Sequence, residues 1–231
     1  MSDSIIEDFP PLDHATPDGL IAIGGDLSKT RLVKAYRSGI FPWFNPGDPI
    51  LWWSPDPRCV LYPQNHKLSR STKKSLIKQS FTCSFDHAFT NVIEQCALTR
   101  RNQEGTWISQ QIQRAYTDLH QSGIAHSVET WLNGQLVGGL YGIALGGIFF
   151  GESMFSKADN ASKAALYYLV SQLTQWQFML IDCQVTSAHL LSLGAEEIPR
   201  PQFKRELDQA LTLQGQPGSW IHYETSKAIA P

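Results

Sequence analysis

The chain has 231 residues, enough to bury a full core as one large domain or as two small ones. Its 42% hydrophobic and 17% charged residues are the composition of an ordinary globular protein, and a net charge of −2 excludes a global pull toward polyanions, so any nucleic-acid contact must come from a local patch. Four scattered cysteines (Cys59, Cys83, Cys96 and Cys183) form no C-x-x-C pair, and the seven histidines lack ligand spacing, so reduced thiols and no metal site are expected.

The first residues, MSDSIIEDFPPLDHATP, carry acids and prolines where a signal peptide needs a basic start and an apolar core. Residues 1–20 read as irregular. Ser28 is placed to cap a helix through Leu32, Val33 and Tyr36, stopped at Ser38-Gly39. Phe41 to Pro63 then packs six aromatics and six prolines into 23 positions, which excludes a long helix and predicts a turn-rich wrap. Of Trp43, Trp52 and Trp53, at least one is expected at a site edge, because indoles are rarely buried completely.

Leu68 to Gln79 reads as a helix whose Lys67, Arg70, Lys73, Lys74 and Lys78 fall on one broad stripe opposite Leu68, Thr72 and Leu76. Such a stripe is either a solvated face or a phosphate-binding one. A strand over 81–85 follows, then a helix with Phe89, Val92, Ile93 and Cys96 inward, a polar loop over 99–105, and a helix from Ser109 stopped by Gly123. An antiparallel meander comes next: 125–131, 135–144 and 148–154, turned at Asn133-Gly134 and Gly146-Gly147. Asp159 or Asn160 caps a helix with Leu166, Leu169, Val170 and Leu173 on one face. Ser187 starts a short helix ended by Gly194, and Pro201 opens a last one through Phe203, Leu207 and Leu211.

The stretch from Leu136 to Val185 organises the rest. On its last strand Asp182 and Gln184 share a face, with Ile181 and Cys183 on the other. Either Asp182 caps or pairs with something local, or the carboxylate and the amide line a site. Glu152, closing the preceding apolar strand, is a second acid for such a site. The longest uncharged apolar run, Leu136 to Gly151, is too short and too glycine-rich to span a bilayer, so a cytoplasmic protein with no membrane contact is expected. The order of elements predicts an α+β fold, with a small Pro/Trp-rich N-terminal lobe over 1–63 and a catalytic domain over 64–231.

Several segments carry a resemblance: GIFPWFNPGDPILWWSPDPR (39–58), EGTWI (104–108), FGESMFS (150–156), NASK (160–163), LIDCQV (180–185) and LGAEEIPR (193–200). Together, and in order along nearly the whole chain, they resemble the leucyl/phenylalanyl-tRNA–protein transferases. The resemblance implies a GNAT-like acyltransferase domain, monomeric and without metal or cofactor. It also implies transfer of Leu or Phe, and less readily Met, from aminoacyl-tRNA to an N-terminal Arg or Lys of acceptor proteins, marking them for N-end-rule degradation.

On this resemblance Glu152, Asp182 and Gln184 are the catalytic residues. Trp43, Trp107, Leu140, Met154, Leu169, Leu173 and Ile181 wall the aminoacyl pocket. Arg70, Lys73, Lys74 and Lys78 fall in the tRNA-contact region. Leu140 stands where members of the family carry Met, and Leu169 and Leu173 where they carry Phe, which keeps the pocket apolar while altering its shape. Two rival readings remain: an acetyl-CoA-dependent N-acetyltransferase and an inert RNA- or peptide-binding module. SKADNASK before the 161–176 helix lacks the glycine-rich pyrophosphate turn of the first. Glu152, Asp182 and Gln184 in their motifs argue against the second.

Overall fold

In a computed structural model, which describes residues 8–101, 106–223 and 225–227, the chain forms two sheets with helices packed around the larger one. Strands β1 (Leu20–Ile23), β2 (Phe41–Pro42) and β3 (Leu51–Trp53) make a small antiparallel sheet in the order β1-β3-β2. Helix α1 (Lys29–Arg37) lies between β1 and β2 in the chain, and the Ser28 hydroxyl caps it by accepting the Arg31 N–H at 3.3 Å. Prolines keep these strands short, and Pro42 sits on an edge strand, where its missing N–H interrupts no ladder. Trp52 is fully buried and its indole N–H donates to the Gly24 carbonyl at 2.9 Å.

The second sheet contains β4 (Arg58–Leu61), β5 (Thr82–Phe85), β6 (Ala125–Leu132), β7 (Gln135–Leu145), β8 (Ile148–Ser156), β9 (Leu180–Gln184), β10 (Glu196–Ile198) and β11 (Ser226–Lys227). Its order is β10-β4-β9-β8-β7-β6-β5-β11, antiparallel throughout except for the parallel pair β8/β9. The meander β6-β7-β8 turns at Asn133-Gly134, both at positive φ as a tight hairpin requires. β4 lies within the first 63 residues yet pairs with β9 and β10, so the end of the Pro/Trp-rich segment is a strand of the large sheet. The polar loop expected over 99–105 lies outside the described residues from 102 onward, and helix α3 (Phe89–Arg101) covers its first positions.

One face of the large sheet is covered by α1, α3, α4 (Gln110–Gln121) and α7 (Arg200–Ala210), whose Tyr36, Val92, Ile93, Tyr116, Phe203 and Leu207 join Ile143, Phe150 and Phe155 in one core. Helix α5 (Ala161–Gln175) and Trp220 cover the other face, packing on Val128, Leu140, Phe149 and Ile181. α6 (Ala188–Ser192) follows β9, and α2 (Arg70–Gln79) docks on α5 through Leu76 against Ala161 and Ala164. A Cβ at Gly138 would lie 2.6 Å from the Ala161 Cβ, so glycine there lets the first turn of α5 rest directly on β7. That turn is not capped as expected. Asn160 adopts a left-handed conformation (φ 65) and its amide reaches the Ser75 hydroxyl, while the Ser156 hydroxyl accepts the Ser162 N–H at 3.2 Å. No helix among the described residues is long and apolar enough to cross a membrane.

Candidate active site

β8 and β9 run side by side only from Ile148/Leu180 to Phe150/Asp182, and beyond that register they part. Two backbone irregularities widen the gap. On β8 the pairing with β7 jumps from Gly142↔Gly151 to Tyr141↔Ser153, so Glu152 is the extra residue of a bulge, a device that re-aims a side chain. A Cβ on Gly142 would sit 2.2 Å from the Phe150 carbonyl oxygen, so the kink depends on glycine at that position. On β9 the pairing with β4 slips between Cys59 and Val60, and Gln184 takes φ 65, a left-handed conformation that costs a non-glycine residue on the order of 1 kcal/mol or more.

Between the parted strands lies a cleft of about 360 Å³. Trp43, Trp107, Leu140, Met154, Leu169 and Ile181 line its apolar wall together with Leu166, and Glu152 and Gln184 form the polar end. The volume sits at the lower end of the range for small-ligand pockets, roughly 300–1,000 Å³. Trp43 is 46% exposed at the mouth and meets Trp53 edge-on, while the Trp53 indole N–H donates to the Trp43 carbonyl and fixes that corner. Leu173 departs from expectation. Two turns along α5 from Leu166, it is fully buried in the core behind the cleft and does not line it.

Asp182 also differs from its expected place. It is wholly buried, does not line the cleft, and is held by Arg58: Nε to Oδ1 at 2.8 Å and Nη2 to Oδ2 at 2.6 Å. The guanidinium lies between the rings of Phe41 and Phe203, 4.9 and 4.5 Å from their centroids. The pair is therefore a buried, bidentate ion pair with no charge to spare. What Asp182 offers the site is a second bond, its Oδ1 accepting the Gln184 backbone N–H at 2.9 Å, which holds the left-handed turn.

Glu152 is the acid that the cleft does present. The Gln184 amide donates to its Oε1 at 2.7 Å, the Tyr36 hydroxyl to the same oxygen at 2.7 Å, and the Tyr116 hydroxyl to Oε2 at 3.1 Å. Tyr36 and Tyr116 are also hydrogen-bonded to each other. Burial pushes the Glu152 carboxyl up to about 7; the three hydrogen bonds pull the other way, and the charge of Asp182 adds to the rise. Burial, then the neighbouring Glu152 charge, likewise keeps both phenols well above their ordinary value. At the rim, the hydroxyl of Thr186, which lines the cleft, donates to Glu197 at 2.6 Å, leaving an exposed carboxylate there.

Tyr36, Tyr116, Arg58 and Glu197 have no role in the sequence reading. Both tyrosines lie on the buried faces of their helices, α1 and α4. Their usable signal is chemical, since a buried phenol needs a partner for its hydroxyl. On α2, Arg70, Lys73, Lys74 and Lys78 are exposed, and none makes an ion pair among the described residues.

An apolar slot for a side chain, ending at groups that can hold an amine, is the layout of a transferase that hands over an acyl group. The family described as leucyl/phenylalanyl-tRNA protein transferase matches residues 60–208, and its N-terminal domain matches residues 25–56. The chain is 58% identical over 214 residues to the leucyl/phenylalanyl-tRNA–protein transferase of Nitrosomonas europaea, covering 92% of this chain and 91% of that one. It is 61% identical over 202 residues to that of Cellvibrio japonicus (87% and 86%), and 56% identical over 221 residues to that of Nitrosospira multiformis (95% and 94%). The chain belongs to the leucyl/phenylalanyl-tRNA–protein transferase family, and it is an aminoacyltransferase.

Proposed function

We propose that the enzyme moves leucine or phenylalanine, and less readily methionine, from aminoacyl-tRNA to the α-amino group of an N-terminal Arg or Lys. The product is a protein marked for N-end-rule degradation, and the reaction runs in the cytoplasm on a monomer without a cofactor. The observation that carries this reading is the meeting of the apolar wall with Glu152 and Gln184 in one cleft. The order of meander, helix and strand, with β8 and β9 parting, supports a GNAT-like acyltransferase arrangement.

The ester on tRNA is already activated, so the enzyme's main task is alignment, which can lower a barrier by several kcal/mol. In this reading Trp43, Trp107, Leu140, Met154, Leu169 and Ile181 hold the donor side chain, and Leu173 backs the wall. The Gln184 NH₂ is committed to Glu152, so its carbonyl oxygen is the end left to accept an N–H of the incoming amine. A carboxamide is a poor base, and its contribution is direction. Asp182 acts through Gln184 by fixing its backbone. Arg58 cancels the Asp182 charge, so preference for a basic acceptor rests on Glu152 and, at the rim, Glu197.

Each methylene in a hydrophobic pocket is worth only about 1–3 kcal/mol, so Met passes and Ala does not. Arg70, Lys73, Lys74 and Lys78 contact tRNA phosphates, which positions the substrate without reading its sequence. The test is transfer of labelled Leu from charged tRNA to a peptide beginning with Arg, against the same peptide beginning with Ala. Label on the Arg peptide alone is expected; equal labelling of both removes the acidic end of the cleft from the account.

A further inference from the structure

We propose that Glu152, closed into a hydrogen-bonded ring by Tyr36 and Tyr116, is the base that takes the proton the acceptor's α-ammonium group gives up before attack. The inference rests on the proposed transfer to an α-amine and adds a proton path with two positioning residues.

Three oxygen–oxygen contacts make the ring: Tyr36 hydroxyl to Oε1, Tyr116 hydroxyl to Oε2, and Tyr36 hydroxyl to Tyr116 hydroxyl. With Glu152 ionised, two hydroxyl protons serve three contacts, and one contact has no proton. With Glu152 protonated on Oε2, every contact is filled: Oε2–H donates to Tyr116, Tyr116 to Tyr36, and Tyr36 to Oε1, which also accepts from Gln184. The ring can thus take one proton with no contact left unfilled, while in its empty state the two phenol bonds to the charged carboxylate favour ionisation. Arrival at either carboxylate oxygen gives the same filled ring, because shifting the three protons one step around it interchanges the two.

Among the described residues, the ionisable groups around Glu152 are Tyr36 from α1, Tyr116 from α4, Tyr141 on the neighbouring β7 and Asp182 from β9, the last paired with Arg58 of β4. His189 from α6 lines the same cleft, its imidazole held below its ordinary value by burial and by Lys163, and no hydrogen bond joins it to the ring. The Glu152 carboxyl sits near 7, close to the ~7.7–8 of an α-ammonium, so the proton passes between groups of nearly matched affinity.

The step balances. The ammonium N–H bond breaks and leaves its electron pair on nitrogen, and an O–H bond forms on Glu152. The nitrogen pair then forms the C–N bond to the ester carbonyl and the C–O bond breaks. The departing ribose oxygen collects the second proton from nitrogen, and Glu152 returns its own to water when the product leaves.

Two measurements test this on the full chain. The first is the pH dependence of kcat/KM for transfer to an Arg peptide by wild type, Tyr36→Phe and Tyr116→Phe. Each phenol hydrogen bond favours the ionised Glu152, so its loss should move the acidic limb upward by on the order of one pH unit. Activity should be recovered at high pH. A uniform loss at every pH, with the limb unmoved, overturns the proposal. The second is titration of the ¹³C-labelled Glu152 carboxyl in the same proteins without substrate. A wild-type midpoint near neutrality, shifted upward in both variants, is expected; a carboxyl ionised throughout pH 5.5–9, an interval of about ±2 units around neutrality, overturns the ring. Failure of wild type to label the Arg peptide would instead strike the proposed function, and the carboxyl titration would still judge the ring.

Discussion

Replacing Arg58 by methionine isolates the buried ion pair on which the site is built. Arg58 and Asp182 are both fully buried and joined by two short hydrogen bonds, so the single change leaves an unpaired carboxylate in the core. Breaking such a pair costs about 3–5 kcal/mol. For a chain of this size that corresponds to a melting-temperature drop of roughly 6–20 °C, at ~2–4 °C per kcal/mol. Replacing both partners, Arg58→Met with Asp182→Leu, removes the stranded charge and should restore most of the loss, to within about 1 kcal/mol.

Activity should separate from stability in that double variant. The Gln184 N–H has lost its acceptor, and a left-handed turn costing on the order of 1–3 kcal/mol is no longer held. Urea unfolding gives the free energies, and transfer to an Arg peptide gives the activity. A single variant within ~1 kcal/mol of wild type, or a double variant that regains full transfer, would refute the reasoning.

Trp107→Ala should raise the apparent KM for Leu-tRNA by on the order of tenfold or more, as expected for a large aromatic lost from an apolar wall, while Ile-tRNA should remain a poor donor to wild type in parallel charging assays. Lys73→Ala with Lys74→Ala should raise the KM for charged tRNA and flatten its salt dependence by roughly 0.7–0.9 per lost phosphate contact, leaving an aminoacyl-adenosine donor unaffected. His66 is pushed down to about 4 by burial, so it folds neutral. Its contribution to stability is complete above the unfolded value of ~6.5 and is lost as pH falls toward about 4; His66→Phe should flatten the chemical-denaturation midpoint across that window.

Much of the frame could be read from the chain because local chemistry specified it. Ser28, Ser109 and Ser187 each cap a helix by accepting a backbone N–H, while the helix expected from Leu68 begins two residues later, capped by Ser69. The meander is set by turn residues that tolerate positive φ. The small sheet was not legible, because strands of two to four residues crowded with proline leave too few positions for alternation to show. At the site, Glu152 and Gln184 were legible as polar residues closing apolar strands. Their company was not. Arg58 meets Asp182 across 124 positions, and Tyr36 meets Glu152 across 116, contacts that only the folded sheet creates. Period-two reasoning put Asp182 and Gln184 on one face, but it had no access to the β4/β9 register slip and the left-handed Gln184 that leave one in the core pair and the other at the cleft.

The most direct measurement is a structure of the enzyme with a non-hydrolysable leucyl-adenosine and a dipeptide beginning with Arg. The account predicts the leucyl side chain between Trp43, Trp107 and Leu169, with the peptide nitrogen within hydrogen-bond reach of the Gln184 carbonyl and the Glu152 carboxylate. A leucyl group seated outside the β8/β9 cleft, or a peptide amine bonded to neither residue, would contradict it.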